Sequence, residues 1–122
     1  GETPARVAYA REREAQTRFA LEELRRQARE DVHVALLAVE AARARTKLAD
    51  ERLAAAQADY DQTFDQYRNQ LLTTLDVQSA ETSLADARRG RIAAQLGLFL
   101  AEVRAFHAAG ALVPAARKET PR

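Results

Sequence analysis

The stretch Tyr67–Leu84, YRNQLLTTLDVQSAETSL, is the one place in the chain where a long helical pattern stops and restarts. Before it, apolar residues recur in steps of three and four over about forty positions; after it the same rhythm runs for about thirty more. The stretch therefore reads as the tip of a helical hairpin. Its centre is Leu71, Leu72, Thr73, Thr74, Leu75 and Asp76. Thr73 suits an N-cap, because its hydroxyl accepts from the N–H groups exposed at a helix start. Asp76, three residues on, can reach back as the second half of a capping box, where the helix dipole also favours its charge. An ordinary capped turn with no further role accounts for these spacings equally well.

Upstream of the tip, a seam continues from Ala28 through Val32, Ala35, Val39, Ala42, Thr46, Ala49, Leu53, Ala56, Tyr60, Thr63 and Tyr67. Its alternating steps of four and three are those of a left-handed coiled coil. The next step, to Leu71, is four where three is due. Nearer the N-terminus the pattern loosens through Val7, Ala10, Phe19, Leu21 and Leu24. Thr3 as N-cap and Pro4 at the first helical position set the start. The first helix is then expected over about residues 4–70, roughly 100 Å at 1.5 Å per residue. Downstream, the main seam is Val77, Ala80, Leu84, Ala87, Arg91 in a core slot, then Ala94, Leu98, Ala101, Ala105 and Ala108. The second helix is expected over about residues 74–109, ended by Gly110 as a C′ residue with Pro114 beyond, leaving 111–122 as a mobile tail.

A second apolar stripe is read beside each seam. On the first helix it is Val34, Leu37, Ala41, Ala44, Leu48, Ala55 and Ala58; on the second, Ile92, Leu96, Phe99, Val103 and Phe106. An isolated two-helix pair needs only one seam per helix, so two seams point to neighbours on two sides. The alanines also fit exposed positions of a good helix former. Gly90 and Gly97 fall inside the second helix and mark either a close approach or a bend. The second helix is about half the length of the first, so residues 5 to about 33 lack a partner within the chain, and a helix of that kind is poorly held without tertiary packing.

Composition agrees with an all-α chain. Alanine supplies 28 of 122 residues, whereas Leu, Ile, Val and Phe together supply 26, a thin stock of bulky core. Proline occurs only at 4, 114 and 121, so the span between is free of Pro breaks. No segment alternates as a strand does. At this length the chain holds at most one ordinary domain. Net charge is +1, with charged residues at 30% and both signs interspersed, which gives no bulk attraction to nucleic acid or an acidic membrane. The absence of Cys excludes disulfides and thiolate metal sites. The longest uncharged apolar run, Ile92–Ala101, is about half of the ~20 residues a spanning helix needs. No signal peptide is visible after Gly1, which leaves a cytoplasmic chain, a mature chain or an excised piece.

The run Tyr67-Arg68 … Thr73 … Leu75-Asp76-Val77 … Ala80 … Leu84 … Ala87, closing at Gly110, resembles the second helical hairpin of TolC-like outer membrane efflux proteins. So does the upstream text, GETPARVAYAREREAQTRF followed by EDVHVALLAVEAARARTKLADERLAAAQADY, so the resemblance spans nearly the whole chain. It implies a homotrimeric duct with a periplasmic α-barrel, a descending long helix, a tight turn at the entrance and a shorter returning helix. An adaptor protein and an inner-membrane pump are the implied partners. Contact with the membrane is implied only through β-strands absent from this chain, which would be roughly one quarter to one third of such a protein. The implied gate residues are Tyr67, Arg68, Thr73 and Asp76. Tyr67 reads equally as a core residue at its seam position and Arg68 as a solvated charge. The family pattern has Gly where this chain has Gln70, often Leu at Gln78, and a second acid at Ser79 in some members. Loss of the glycine makes a left-handed cap costlier, and Asn69 is the residue expected to take that conformation instead.

Catalytic readings fail on residue types. His33 and His107 are far apart in sequence and lack metal-ligand spacing. Asp59, Asp61 and Asp65 do not have the spacing of a calcium loop, and read as a solvated face or as channel lining under the resemblance. Ser79, Ser83 and the threonines have no nearby histidine base, and no Gly-rich phosphate loop is present. The pairs Arg25-Arg26 and Arg88-Arg89 have acidic neighbours and form no stripe for nucleic acid. The expectation is a non-enzyme without cofactor: a structural and gating segment of an efflux or secretion duct. The alternatives are the hairpin of a periplasmic adaptor, for which helices of similar length are expected, and a self-assembling coiled-coil scaffold.

Overall fold

A computed structural model of the chain describes residues 3–119, with side-chain surroundings through residue 112. Two helices, α1 (Pro4–Arg68) and α2 (Thr74–Glu119), pack antiparallel as a hairpin, and no strand occurs among the described residues. α1 has 65 residues and α2 has 46, or about 98 Å and 69 Å at the usual rise. Thr3 caps α1 by accepting from the N–H of Arg6, with Pro4 opening the helix.

The seam positions of both helices are the ones turned inward. Val39 and Ala42 of α1 are buried, as are Val77, Ala80, Leu84 and Ala101 of α2. The intervening seam residues, including Leu53 and Tyr60 on α1 and Leu98 on α2, are half-buried. Every second slot is alanine on both helices: Ala35, Ala42, Ala49 and Ala56 on α1, and Ala80, Ala87, Ala94, Ala101 and Ala108 on α2. Small residues let the two backbones approach. Thr46 demonstrates how closely they do: its hydroxyl donates to its own helix at the Ala42 carbonyl (3.0 Å) and reaches the Ala94 carbonyl of α2 at 3.4 Å. A polar side chain in a core slot is thereby satisfied by backbone. Arg91, the charged residue in the seam, turns outward to Asp50 of α1 at 2.8 Å, with both side chains about half exposed. An ion pair of that exposure contributes at most about 1 kcal/mol, so it fixes register more than stability.

The structure departs from the sequence reading in three respects. α2 continues ten residues past the expected end near 109, and residues 111–119, expected as tail, are helical; residues 120–122 lie outside the described part. Gly110 does not adopt the left-handed conformation of a helix C′ residue, and the missing N–H of Pro114 removes one backbone bond without ending the element. The Thr46–Ala94 and Asp50–Arg91 contacts fix the register, which places Glu119 opposite about residue 21 of α1. The length of α1 without a partner is therefore residues 4 to about 20, roughly 25 Å, and not the expected stretch to 33.

Second, the apolar stripes lie across the helices from the seams, not beside them. At 100° per residue, Val34, Leu37 and Leu48 sit about 160° round α1 from the seam axis, and Ile92, Leu96 and Phe99 about 150° round α2. All are exposed: Val34 at 58%, Ile92 at 65%, Phe106 at 84%. Third, Gly90 and Gly97 mark no close approach within the hairpin, since a Cβ at either would meet no atom within 4 Å.

Deleting seam and back-face side chains should separate the two faces energetically. Leu84→Ala removes a buried leucine and is expected to cost about 2–3 kcal/mol in urea denaturation. Leu96→Ala is expected to cost under about 0.5 kcal/mol in the same assay. Equal losses would show the back face to be covered in solution.

Candidate functional site

The tip joins the helices through residues 69–73, and its geometry is set by two complementary caps. α1 ends in a left-handed turn. Gln70 has φ 62°, its N–H donates to the Tyr67 carbonyl at 2.9 Å, and the Leu71 N–H donates to the Gln66 carbonyl at 2.9 Å. This is the Schellman arrangement, with Asn69 as C-cap. Asn69 itself has φ −86°, so the residue expected to turn left-handed is not the one that does. Gln70 accepts the strain of a Cβ at positive φ, about 1–2 kcal/mol. Glycine is the residue that adopts this conformation freely.

α2 begins in a full capping box. The Asp76 N–H approaches the Thr73 hydroxyl oxygen at 3.4 Å, while the Thr73 N–H and hydroxyl both donate to Asp76 Oδ2 at 2.9 Å. These bonds hold the Asp76 carboxyl below its ordinary range, the Thr73 backbone N–H first and its hydroxyl second. Asp76 is thus an anchored anion at a helix N-terminus.

Tyr67 and Arg68 stand on the other side of the turn. Tyr67 is 39% exposed despite its seam register. It closes an aromatic ladder with Phe64 (6.4 Å between ring centroids) and, through it, Tyr60 (6.1 Å). The apolar seam is closed by Leu72, which is half-buried, and not by Leu71, which is 72% exposed. The signal for this was the slipped step after Tyr67, which marked the break without naming its filler. Arg68 is exposed and makes no ion pair among the described residues. The tip therefore gathers Tyr67, Arg68, Thr73 and Asp76 within one turn, but hydrogen bonds link only Thr73 with Asp76.

Charge is sorted along the hairpin, a feature that whole-chain counting hides. Residues 53–87, the tip section, carry Asp59, Asp61, Asp65, Asp76, Glu81 and Asp86 against Arg68 alone. The band behind it, residues 43–52 of α1 and 88–91 of α2, carries seven Lys and Arg against Asp50 and Glu51. The two segments of that basic collar face each other across the hairpin, as the Asp50–Arg91 pair demonstrates. A groove of about 590 Å³ opens on one edge of the collar, lined by Arg45, Leu48 and Arg52 of α1 and by Gly90, Ala93 and Gly97 of α2, among others. His33 and His107 fall at the same level by register, yet no group of three metal-binding side chains occurs among the described residues. Nor is any described helix long and apolar enough to cross a membrane.

Comparison with protein-family models, characterised proteins and solved structures finds no match to this chain.

Three substitutions test the caps. Gln70→Gly is expected to raise stability by up to about 1 kcal/mol, the relieved strain less the added freedom of the unfolded chain, measured by thermal or urea unfolding. Thr73→Ala is expected to lower it by about 1 kcal/mol. Because the carboxyl of Asp76 is depressed in the folded state, its contribution is present above the usual 3.8 and is lost as pH falls through the lower folded value. An acid titration of stability in Asp76→Asn should lack that step, and an unchanged acid limb would remove Asp76 from the cap.

Proposed function

We propose that the hairpin is a structural and gating segment of a trimeric outer membrane duct, forming part of a periplasmic α-barrel and its entrance. The observation that carries this reading is the doubled apolar surface. Each helix has one face spent on its partner and an opposite face, from Val34 to Leu48 and from Ile92 to Phe106, left exposed. A helix set in a wall has neighbours front and back, and contiguous exposed apolar surface of this kind marks an interface. The left-handed turn at Gln70, where the resembling family carries glycine, adds support from the backbone itself. So does the unequal length of the helices.

In this reading the tips of three copies meet round the entrance. Asp76, repeated by the threefold axis, places like charges near one another and favours opening or cation binding. Tyr67 and Arg68 hold the closed state through hydrogen bonds to neighbouring copies. The adaptor and inner-membrane pump supply the docking that opens the tip, and the membrane is met only through segments outside this chain. A second reading, the hairpin of an adaptor or a self-assembling coiled coil, draws on one observation: α2 runs well past half the length of α1, which brings the two helices nearer to equality.

The gate assignment is tested in the full-length channel. Asp76→Ala and Tyr67→Ala are each expected to change its resting conductance and the antibiotic susceptibility of cells carrying it. Unchanged values in both variants would remove the gate from the tip while leaving the fold intact.

A further inference from the structure

Arg45, Leu48, Arg52, Ala55 and Asp59 recur at steps of three and four, so they share one face of α1. That face is one wall of the collar groove, continued towards the tip. On α2 the matching edge is Gly97, Ala93, Gly90, Asp86, Ser83, Ser79 and Asp76, small apart from two carboxylates, of which Asp86 pairs with Arg89 of its own helix at 2.8 Å and Asp76 is anchored in the cap. Along this edge the charge changes sign once, positive at the collar and negative at the tip. All of these residues are exposed, and Arg45, Arg52 and Asp59 make no ion pair among the described residues. An edge of this pattern is complementary to itself reversed.

We propose that this edge is a docking surface for a second copy of the chain, lying antiparallel so that the acidic tip of each copy rests on the basic collar of the other. A twofold axis near Ala55 and Ala56 sets Arg52 of one copy at the level of Asp59 of the second. By the hairpin register it also brings Arg45 to about the level of Asp76. Alanine on α1 at the axis, and glycine and serine along α2, keep the faces low enough for close approach, and Asp86, which the register sets at the axis level opposite its own copy, enters the contact with its charge already paired to Arg89. Glycines 90 and 97, idle within the hairpin, become the floor on which the second copy lies. A parallel pair would set Arg52 level with Arg52 and Asp59 level with Asp59, and like charges at one level repel. The inference does not rest on the duct reading, whose tips point the same way.

Charge exchange tests it on the intact 122-residue chain. By analytical ultracentrifugation at low salt, the chain is expected to sediment at twice its 13.5 kDa mass and to dissociate as salt shortens the screening length. Arg52→Glu and Asp59→Arg, each checked for helicity by circular dichroism, are each expected to weaken association about tenfold or more, since each sets like charges at two contacts. An equimolar mixture of the two variants, and the double variant R52E/D59R, should regain it. The absence of Cys permits a second measurement: a single spin label on Leu71→Cys should give a separation of about 45 Å in the antiparallel pair. Monomer at all salts, a trimer, failure of the mixture to recover, or labels within about 20 Å as in a parallel pair, would each overturn the proposal. The last two leave the duct reading standing.

Discussion

The alanine at every second seam position is the constraint on which the rest of the hairpin depends. Large residues there would hold the helices apart and place the Ala94 carbonyl beyond the reach of Thr46. With alanine, the backbones close up, and the alternate slots take one larger side chain from each helix: Val39 near Ala101, Leu84 and Val77 towards the tip. The cost of this choice is a narrow core. Six apolar residues are buried among those described, and three of them are alanine. Burial on that scale contributes little apolar area per residue, so a pair of helices this long draws much of its order from intrinsic helix propensity and from whatever covers its outer faces.

That shortage links the seam to the back faces. Ile92, Leu96, Phe99 and Phe106 are larger than most of the residues the hairpin buries, yet they point away from it. The most apolar surface of the second helix is therefore not used in joining it to the first. Such a distribution suits an element that completes its packing with other chains or other segments, and it is the physical ground for reading the hairpin as part of a wall. The charge distribution acts at longer range. An acidic tip and a basic collar a few turns apart give the element polarity along its axis, which orients it in any assembly it joins.

The sequence made the two helices, the turn between them and the cap that starts α2 legible, because each rests on a local rule. Periodicity named the seam nearly residue by residue, and Thr73 and Asp76 were found as a capping box from their spacing. What escaped was set by details that periodicity does not carry. Gln70 took the left-handed position expected of Asn69, because the hydrogen-bonding frame of the Schellman turn, counted from the end of the helix, overrode residue preference. Gly110 and Pro114 did not end α2, since neither residue forces a stop where flanking residues favour helix. The second stripe, expected beside the seam, lies on the far side because two-residue offsets carry it there. The Asp50 partner of Arg91 needed the register, which only the packed structure supplies.

Whether the hairpin belongs to a larger duct is decided by an immunoblot of fractionated source cells with an antibody raised against this chain. If the hairpin is one segment of a duct, a band several times larger than 13.5 kDa is expected in the outer membrane fraction. A soluble band at 13.5 kDa would contradict it and identify the hairpin as complete in itself, a coiled coil that assembles through its own exposed faces.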